Sequence, residues 1–326
     1  MIIPQIIIAD AIQGLKTIPD KSVNMCVSSP PYYGLRDYGI DGQIGCEPSP
    51  DEYIQRLVDV FREVRRVLRD DATVWIVIGD SYAGSGKGVC KNKEIKSKAV
   101  YRANVGDSNI MIPKKWDGIK PKDALGIPWA LAFALRADGW FLRQDIIWEK
   151  KNAMPESVKD RCTKSHEYIF LLSKSARYYF NSEAIREPCN STNIDDFIRR
   201  KTLKNKGHGF GSYEEVRPDL CRGRDAYMPA DFRRNKRSVW TVNTKPFSGA
   251  HFATYPPDLI RPCILAGCPQ HGTVLDPFFG SGTTAEVCTE ENRDYIGIEI
   301  NPEYVKIAKK RIEKTQNNIL INGTAP

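Results

Sequence analysis

Val274-Leu-Asp-Pro-Phe-Phe-Gly-Ser-Gly-Thr-Thr284 leaves a short apolar run (273–276), turns on two glycines and enters a helix-forming stretch (283–292). Glycine lets a backbone approach a ligand closely, and a helix N-terminus offers it amide N–H groups. Nineteen residues beyond Gly280, Glu299 lies in the next apolar run (295–300). A carboxylate there can accept hydrogen bonds from ribose hydroxyls. Strand, Asp-Pro-Phe, glycines, helix, strand and glutamate in series predict a site for an adenosine-containing cofactor. The dinucleotide fingerprint is not met, because no glycine stands three residues after Gly282. Gly84-Ser-Gly-Lys-Gly88 fails the Walker pattern, since glycine rather than Ser or Thr follows Lys87.

On either side of this turn the apolar pattern alternates. Residues 2–8, 23–28, 73–78, 142–148, 167–172, 177–180, 273–276 and 295–300 read as strands; 51–69, 129–137, 283–292 and 302–315 read as helices. In 51–69, Ile54, Leu57, Val58, Phe61, Val64 and Leu68 recur at helical spacing. Asp51 and Glu52 stand at its start and Arg65, Arg66 and Arg69 at its end, where the helix dipole favours them. Strands alternating with helices predict an α/β fold, a doubly wound and mostly parallel sheet with helices on both faces. Two stretches break the alternation. Residues 81–120 read as a long, basic, mobile loop, and 186–245 as a polar insertion rich in Gly and Arg. The expected organisation is therefore one domain from 1–185 and 246–326, interrupted by a second region.

The chain has 326 residues, 41% of them hydrophobic and 27% charged, which supplies a core and excludes global disorder. No apolar run is long enough to span a membrane, and the first ten residues lack a signal peptide's basic region. Nine irregularly spaced cysteines argue for a reducing compartment, the cytoplasm, rather than a disulfide framework. The net charge of +8 is unevenly spread: 81–122 carries ten Lys/Arg against three Asp/Glu, and 186–245 carries fourteen against eight. Two basic segments on a mildly acidic remainder suit a polyanion, though lysine-rich solvated loops would give the same count.

Ser29-Pro-Pro-Tyr32 follows the strand 23–28. Two prolines cannot continue an inner strand, and they stiffen a turn at its carboxyl end, where open α/β sheets bind ligands. The turn offers a hydroxyl, carbonyl acceptors and a flat aromatic ring; it also reads as a stiffened loop with a packed tyrosine. Ser29-Pro-Pro-Tyr32 and Asp276-Pro-Phe-Phe-Gly-Ser-Gly-Thr-Thr284 together resemble the catalytic and cofactor motifs of S-adenosylmethionine-dependent DNA amino-methyltransferases. Their order is that of the β arrangement: catalytic motif first, recognition segment in the middle, cofactor motif last. The resemblance extends through Asp10, Gly34-Leu-Arg-Asp-Tyr38, Ile147-Trp-Glu-Lys150, His166-Glu-Tyr168 and His251-Phe-Ala-Thr-Tyr-Pro256. It covers roughly 1–80, 121–188 and 246–315.

The resemblance implies a circularly permuted Rossmann-like methyltransferase fold with 186–245 as an inserted target-recognition region. It implies direct methyl transfer from S-adenosylmethionine to an exocyclic amine of a flipped base in double-stranded DNA. Ser29, Pro30, Pro31 and Tyr32 would be catalytic. Asp10, Phe252, Thr254, Asp276, Phe278, Gly280, Ser281, Gly282, Thr283 and Glu299 would hold the cofactor. Arg199, Arg200, Arg222, Arg224, Arg233, Arg234 and Arg237 would contact DNA. No metal is expected; whether a cognate restriction endonuclease is a partner stays open, as does the oligomeric state. Serine opening the tetrapeptide leans toward cytosine N4, with adenine N6 the alternative. Cytosine C5 chemistry would need a cysteine nucleophile, but neither Pro188-Cys189 nor Pro262-Cys263 sits in a turn after a core strand. Cys263 is expected to be a packed thiol. A nucleotide-cofactor oxidoreductase and a catalytically silent DNA-binding module are the readings from other classes.

Overall fold

The computed structural model describes residues 4–35, 40, 42–83, 118–189, 233–244 and 255–321. The chain divides into two compact units, 1–180 with 238–326, and 181–237. The larger is an α/β unit built on one eight-stranded sheet. Its strands are β1 (Gln5–Ile8), β2 (Val23–Ser28), β3 (Leu68–Ile78), β4 (Phe141–Glu149), β5 (His166–Ser173), β8 (Val239–Thr241), β9 (Thr273–Asp276) and β10 (Asp294–Glu299), in the order β1-β10-β9-β2-β3-β5-β4-β8. All neighbours are parallel except β3 with β5 and β5 with β4, so β5 alone runs against the rest.

The helices are α1 (Ala11–Lys16), α2 (Pro50–Val67), α3 (Ile127–Ala137), α4 (Pro257–Gly267), α5 (Thr283–Glu290) and α6 (Pro302–Ile321). Contacts join α1 to α2 and α2 to α3, and separately α4 to α5 and α5 to α6. From β2 the chain crosses to β3 on one side; from β9 it crosses to β10 on the other. Right-handed crossovers in opposite directions put the two helix layers on opposite faces. The border between β2 and β9 is thus the topological switch point, where the carboxyl ends open a crevice.

Local chemistry explains the elements. Ser49 caps α2: its Oγ accepts from the Glu52 amide at 3.2 Å and donates to Oε1 of Glu52 at 2.9 Å, with Pro50 in the first turn. Leu57, Phe61 and Val64 on that helix are fully buried and belong to one core cluster with β3 residues such as Val74 and Ile76. Each contributes about 1.5–3 kcal/mol of burial. Central strands buried on both faces read as continuous apolar runs, as in β2 and β3.

Some expectations need correcting. Residues 177–180 are not a strand: Tyr179 makes one backbone bond, to the Asp71 carbonyl, and Phe180 stacks on Trp75 at 6.3 Å instead of extending a ladder. Residues 238–244, expected within the insertion, group with the larger unit. β8 pairs with β4, Trp240 is buried, and the Trp148 indole donates to the Val242 carbonyl at 2.7 Å. In the smaller unit, β6 (Glu187–Pro188) pairs antiparallel with β7 (Arg233–Arg234). The expected basic loop lies outside the described residues between 84 and 117.

Candidate active site

The two motif turns leave adjacent strands. Met25 and Cys26 of β2 pair in register with Val274 and Leu275 of β9, so Ser29-Pro-Pro-Tyr32 and Pro277-Phe-Phe-Gly280 emerge side by side. Both line one cavity of about 700 Å³, within the ~300–1,000 Å³ of small-molecule sites. Asp10, Lys150, Glu167, Ser281, Thr283, Glu299 and Asn301 share its wall. The proline turn is braced from α2, where the Tyr53 hydroxyl donates to the Pro31 carbonyl at 2.8 Å.

Asp276 does not line this cavity; it is fully buried behind it. Its Oδ1 accepts from the Ser28 hydroxyl at 2.5 Å and the Phe278 amide at 3.1 Å. Its Oδ2 accepts from Thr284 at 2.5 Å and Tyr255 at 2.8 Å. Burial pushes this carboxyl above the usual carboxylate range, and the four donors oppose the rise. Placed here, Asp276 ties the glycine turn to the end of β2. Burial, with the Asp276 charge second, also raises the Tyr255 phenol and the Cys26 thiol well above their ordinary values.

Gly280 and Gly282 adopt left-handed backbone, with φ of 53° and 80°. At Gly282 space is closed as well, since a Cβ would stand 2.8 Å from the Cβ of Ala308 on α6. Gly282 is therefore required by helix packing and is not on the cavity wall, whereas Gly280 is. The loop is braced from α6 by Arg311, which donates to Thr283 Oγ1 at 2.8 Å and Ser281 Oγ at 3.2 Å and pairs with Glu286.

Glu299 ends β10 with its carboxylate on the cavity wall, only 8% exposed. Oε2 accepts from the Gly280 amide at 2.7 Å and Oε1 from the Asn301 amide at 2.8 Å. Burial raises its pKa and those two amides oppose the rise. A carboxylate has about four lone-pair sites, so acceptor capacity remains for a ligand's hydroxyls. Asp10 caps α1, accepting from the Gln13 amide at 3.1 Å. Phe278 also lines the cavity, and Phe279 lies on Gly297, where a Cβ would fall 2.3 Å from its ring.

Tyr32 donates its hydroxyl to Glu167 Oε2 at 2.6 Å, and Lys150 pairs with Glu167 Oε1. Burial first, then the Glu167 charge, raises the Tyr32 phenol well above its ordinary pKa, so it stays neutral. Glu167 and Lys150 carry no role in the motif reading. The stretches holding them were recognisable; Lys150 follows the carboxyl end of β4, whereas Glu167 reaches the same rim only because β5 is reversed. Phe252, Thr254, Arg199, Arg200, Arg222 and Arg224 lie outside the described residues. In the smaller unit, Arg234 pairs with Glu187 at 2.9 Å, and Arg233 donates to the Arg186 carbonyl at 2.6 Å. Arg237 belongs to the same unit. Cys263 is buried in α4, its thiol 3.8 Å from the Leu259 carbonyl.

This geometry agrees with comparisons against known proteins. Residues 23–310 match the N6/N4 methyltransferase family model, described as DNA methylase. The chain is 48% identical over 311 residues to the Type II methyltransferase M.Cfr9I of Citrobacter freundii, covering 95% of this chain and 88% of the relative. It is 44% identical over 308 residues to M.SmaI of Serratia marcescens, covering 94% and 90%. Among solved structures, the fold matches PvuII DNA methyltransferase (cytosine-N4-specific) with a TM-score of 0.60 at 17% identity, over 99% of this chain and 94% of that one. It also matches the M1.HpyAVI–SAM complex with a TM-score of 0.51 at 17% identity, over 94% and 98%. The chain belongs to the DNA methylase family, the S-adenosylmethionine-dependent N6/N4 amino-methyltransferases. That membership excludes the oxidoreductase reading.

Proposed function

We propose that this protein methylates the exocyclic N4 amine of cytosine in double-stranded DNA, as the modification enzyme of a Type II restriction–modification system. The observation that carries the reading is the shared cavity: the Ser29 turn and the glycine turn open into it side by side, joined behind by the Ser28–Asp276 hydrogen bond. The residues present suit the cofactor. Gly280 keeps the wall free of side chain, Glu299 retains lone pairs for ribose hydroxyls, and Asp10 and Phe278 line the same cavity, where they would face the adenine. Ser281 and Thr283 shape the loop, Gly282 and Asp276 support it from behind, and Phe252 and Thr254 would serve the methionine end. When bound, S-adenosylmethionine supplies an electrophilic methyl group.

The chain's own task is to make a poor nucleophile react. A base in a duplex is out of reach and has to be everted into the pocket. Its amine is conjugated with the ring. The Ser29 hydroxyl and the Pro30 carbonyl would accept the amine hydrogens, drawing the nitrogen lone pair out of conjugation. Tyr32 would stack on the ring and hold the amine in line with the methyl group, a proximity effect. The serine that opens the tetrapeptide favours cytosine over adenine. The 186–245 segment would read the sequence, with Arg199, Arg200, Arg222, Arg224, Arg233, Arg234 and Arg237 divided between guanine edges and phosphates. A cognate endonuclease in the same cytoplasm is the partner this reading expects. No helix among the described residues is long and apolar enough to cross a membrane.

Mass spectrometry of nucleosides from duplex DNA treated with purified protein and S-adenosylmethionine tests the reading. N4-methylcytosine is the expected product. N6-methyladenine alone would overturn the choice of base, and no methylated nucleoside would overturn the reading. Ser29→Ala should lower turnover by about a hundredfold, as for loss of one group aimed at developing charge, while leaving cofactor affinity within twofold.

A further inference from the structure

Tyr32 is held on several sides. Gly79, just past β3, lies flat against its ring; a Cβ there would stand 2.7 Å from Cε2. Its hydroxyl donates to Glu167 Oε2 at 2.6 Å. Lys150 donates to the other oxygen of that carboxylate, and its Nζ lies 4.1 Å from the centroid of the Trp148 ring. Trp148 is anchored in turn through its indole N–H to Val242. Trp148 and Glu167 are direct register partners on β4 and β5, so adjacent strands bring the carboxylate and the ring beneath Lys150 together. The side chains of Glu167 and Lys150 are each 18% exposed, and Tyr32, Trp148, Lys150 and Glu167 all line the cavity.

We propose that Glu167, pinned by Lys150, is a positioning residue that fixes the plane of Tyr32 against which the everted base stacks. The assignment rests on the DNA amino-methyltransferase reading. A tyrosine at the end of a turn can rotate about two side-chain torsions. A hydrogen bond to an ionised acceptor is about twice as strong as a neutral one, and it removes that freedom only if the carboxylate cannot swing. Lys150 on the second oxygen stops the swing and neutralises a charge that would otherwise stand bare beside the base. Placement matters because a shift of about 1 Å in a reacting geometry can cost about a hundredfold in rate.

The test uses the full chain with S-adenosylmethionine and a duplex bearing the site it methylates. Tyr32→Phe, which removes one oxygen and keeps the ring, and Glu167→Ala are each expected to lower kcat by about ten- to a hundredfold. KM and cofactor affinity should stay within threefold. The double variant should be no worse than the poorer single variant. Glu167→Gln, which keeps an acceptor for the phenol, should recover part of the loss. With 2-aminopurine in place of the target base, emission from the bound duplex should be brighter in both single variants than in wild type, as stacking loosens. Wild-type kcat in Tyr32→Phe, losses that multiply in the double variant, or unchanged emission would each overturn the assignment while wild type still methylates DNA. Failure of wild type to methylate DNA would remove the functional reading, and this assignment with it.

Discussion

Ser28→Ala probes the bond that joins the two turns. Ser28 and Asp276 are both fully buried, and the variant deletes the 2.5 Å hydrogen bond to Oδ1, leaving only the Phe278 amide at 3.1 Å on that oxygen. A hydrogen bond to a charged group is worth about 1.5–3 kcal/mol, and its buried partner is left short of a donor. With an unfolding entropy of ~2.1 cal/mol/K per residue, a chain of 326 residues loses about 1.5 °C per kcal/mol, so the midpoint should fall by about 2–5 °C. The loss should depend on pH. Burial raises the folded pKa of Asp276 above its unfolded value of ~3.9. Between the two values the folded state binds more protons, so stability falls as pH rises and levels off above the folded pKa. Removing a donor raises that upper value further. The gap between wild type and variant is therefore smallest in acid, where Asp276 is protonated in both, and widens toward neutrality. Thermal unfolding by circular dichroism across pH 4.5 to 8 measures it. A midpoint unchanged within about 1 °C, or a gap of the same size at every pH, would refute the reasoning.

Gly280→Ala should cost about 1 kcal/mol from left-handed backbone alone, whereas Gly282→Ala should cost about 1–3 kcal/mol more because its Cβ meets Ala308; denaturant unfolding separates the two. Glu299→Gln should weaken cofactor binding about tenfold or more, since an amide cannot serve both backbone N–H groups and ribose hydroxyls. Isothermal calorimetry reads that loss, and unchanged affinity would remove Glu299 from the site. Cys263→Ser should remain active in a methyl-incorporation assay, because its thiol is buried in α4 and absent from the cavity wall. A folded but inactive protein would reinstate a cysteine nucleophile.

Much of the architecture was legible because the chemistry is local. An apolar run, a glycine turn and a helix start sit within a dozen residues around 274–284, and α2 announces itself by its spacing and by the charges at its two ends. What escaped was set by tertiary packing. α1 spans only six residues, too few for periodicity to show. α4 carries Pro262 inside it, a residue that ordinarily ends a helix, yet Leu259, Ile260, Cys263 and Ile264 pack it in place. The aromatic run at 178–180 looked like a strand because rings suit strands; instead Phe180 stacks on Trp75 and meets Tyr178 edge-on. Asp276 was expected to hold the cofactor, but sequence could not show that donors from β2, α5, the segment before α4 and the glycine turn would enclose it behind the cavity.

Glu167 shows the same limit at the level of topology. In a parallel sheet all carboxyl ends meet at one rim, so a reader looks for chemistry after each strand. β5 is antiparallel to both neighbours, and its amino end, His166 and Glu167, arrives at that rim instead. The 150–165 connection from β4 holds no helix, and the chain returns as an antiparallel neighbour instead of crossing the sheet. The connection thereby delivers Lys150 from the end of β4 and Glu167 from the start of β5 to one place. The reversed strand and the β2–β9 switch point thus do complementary things. The switch point opens the cavity and sets the glycine turn beside the Ser29 turn. The reversed strand brings to its far wall an ion pair that no run of strand carboxyl ends would have placed against Tyr32.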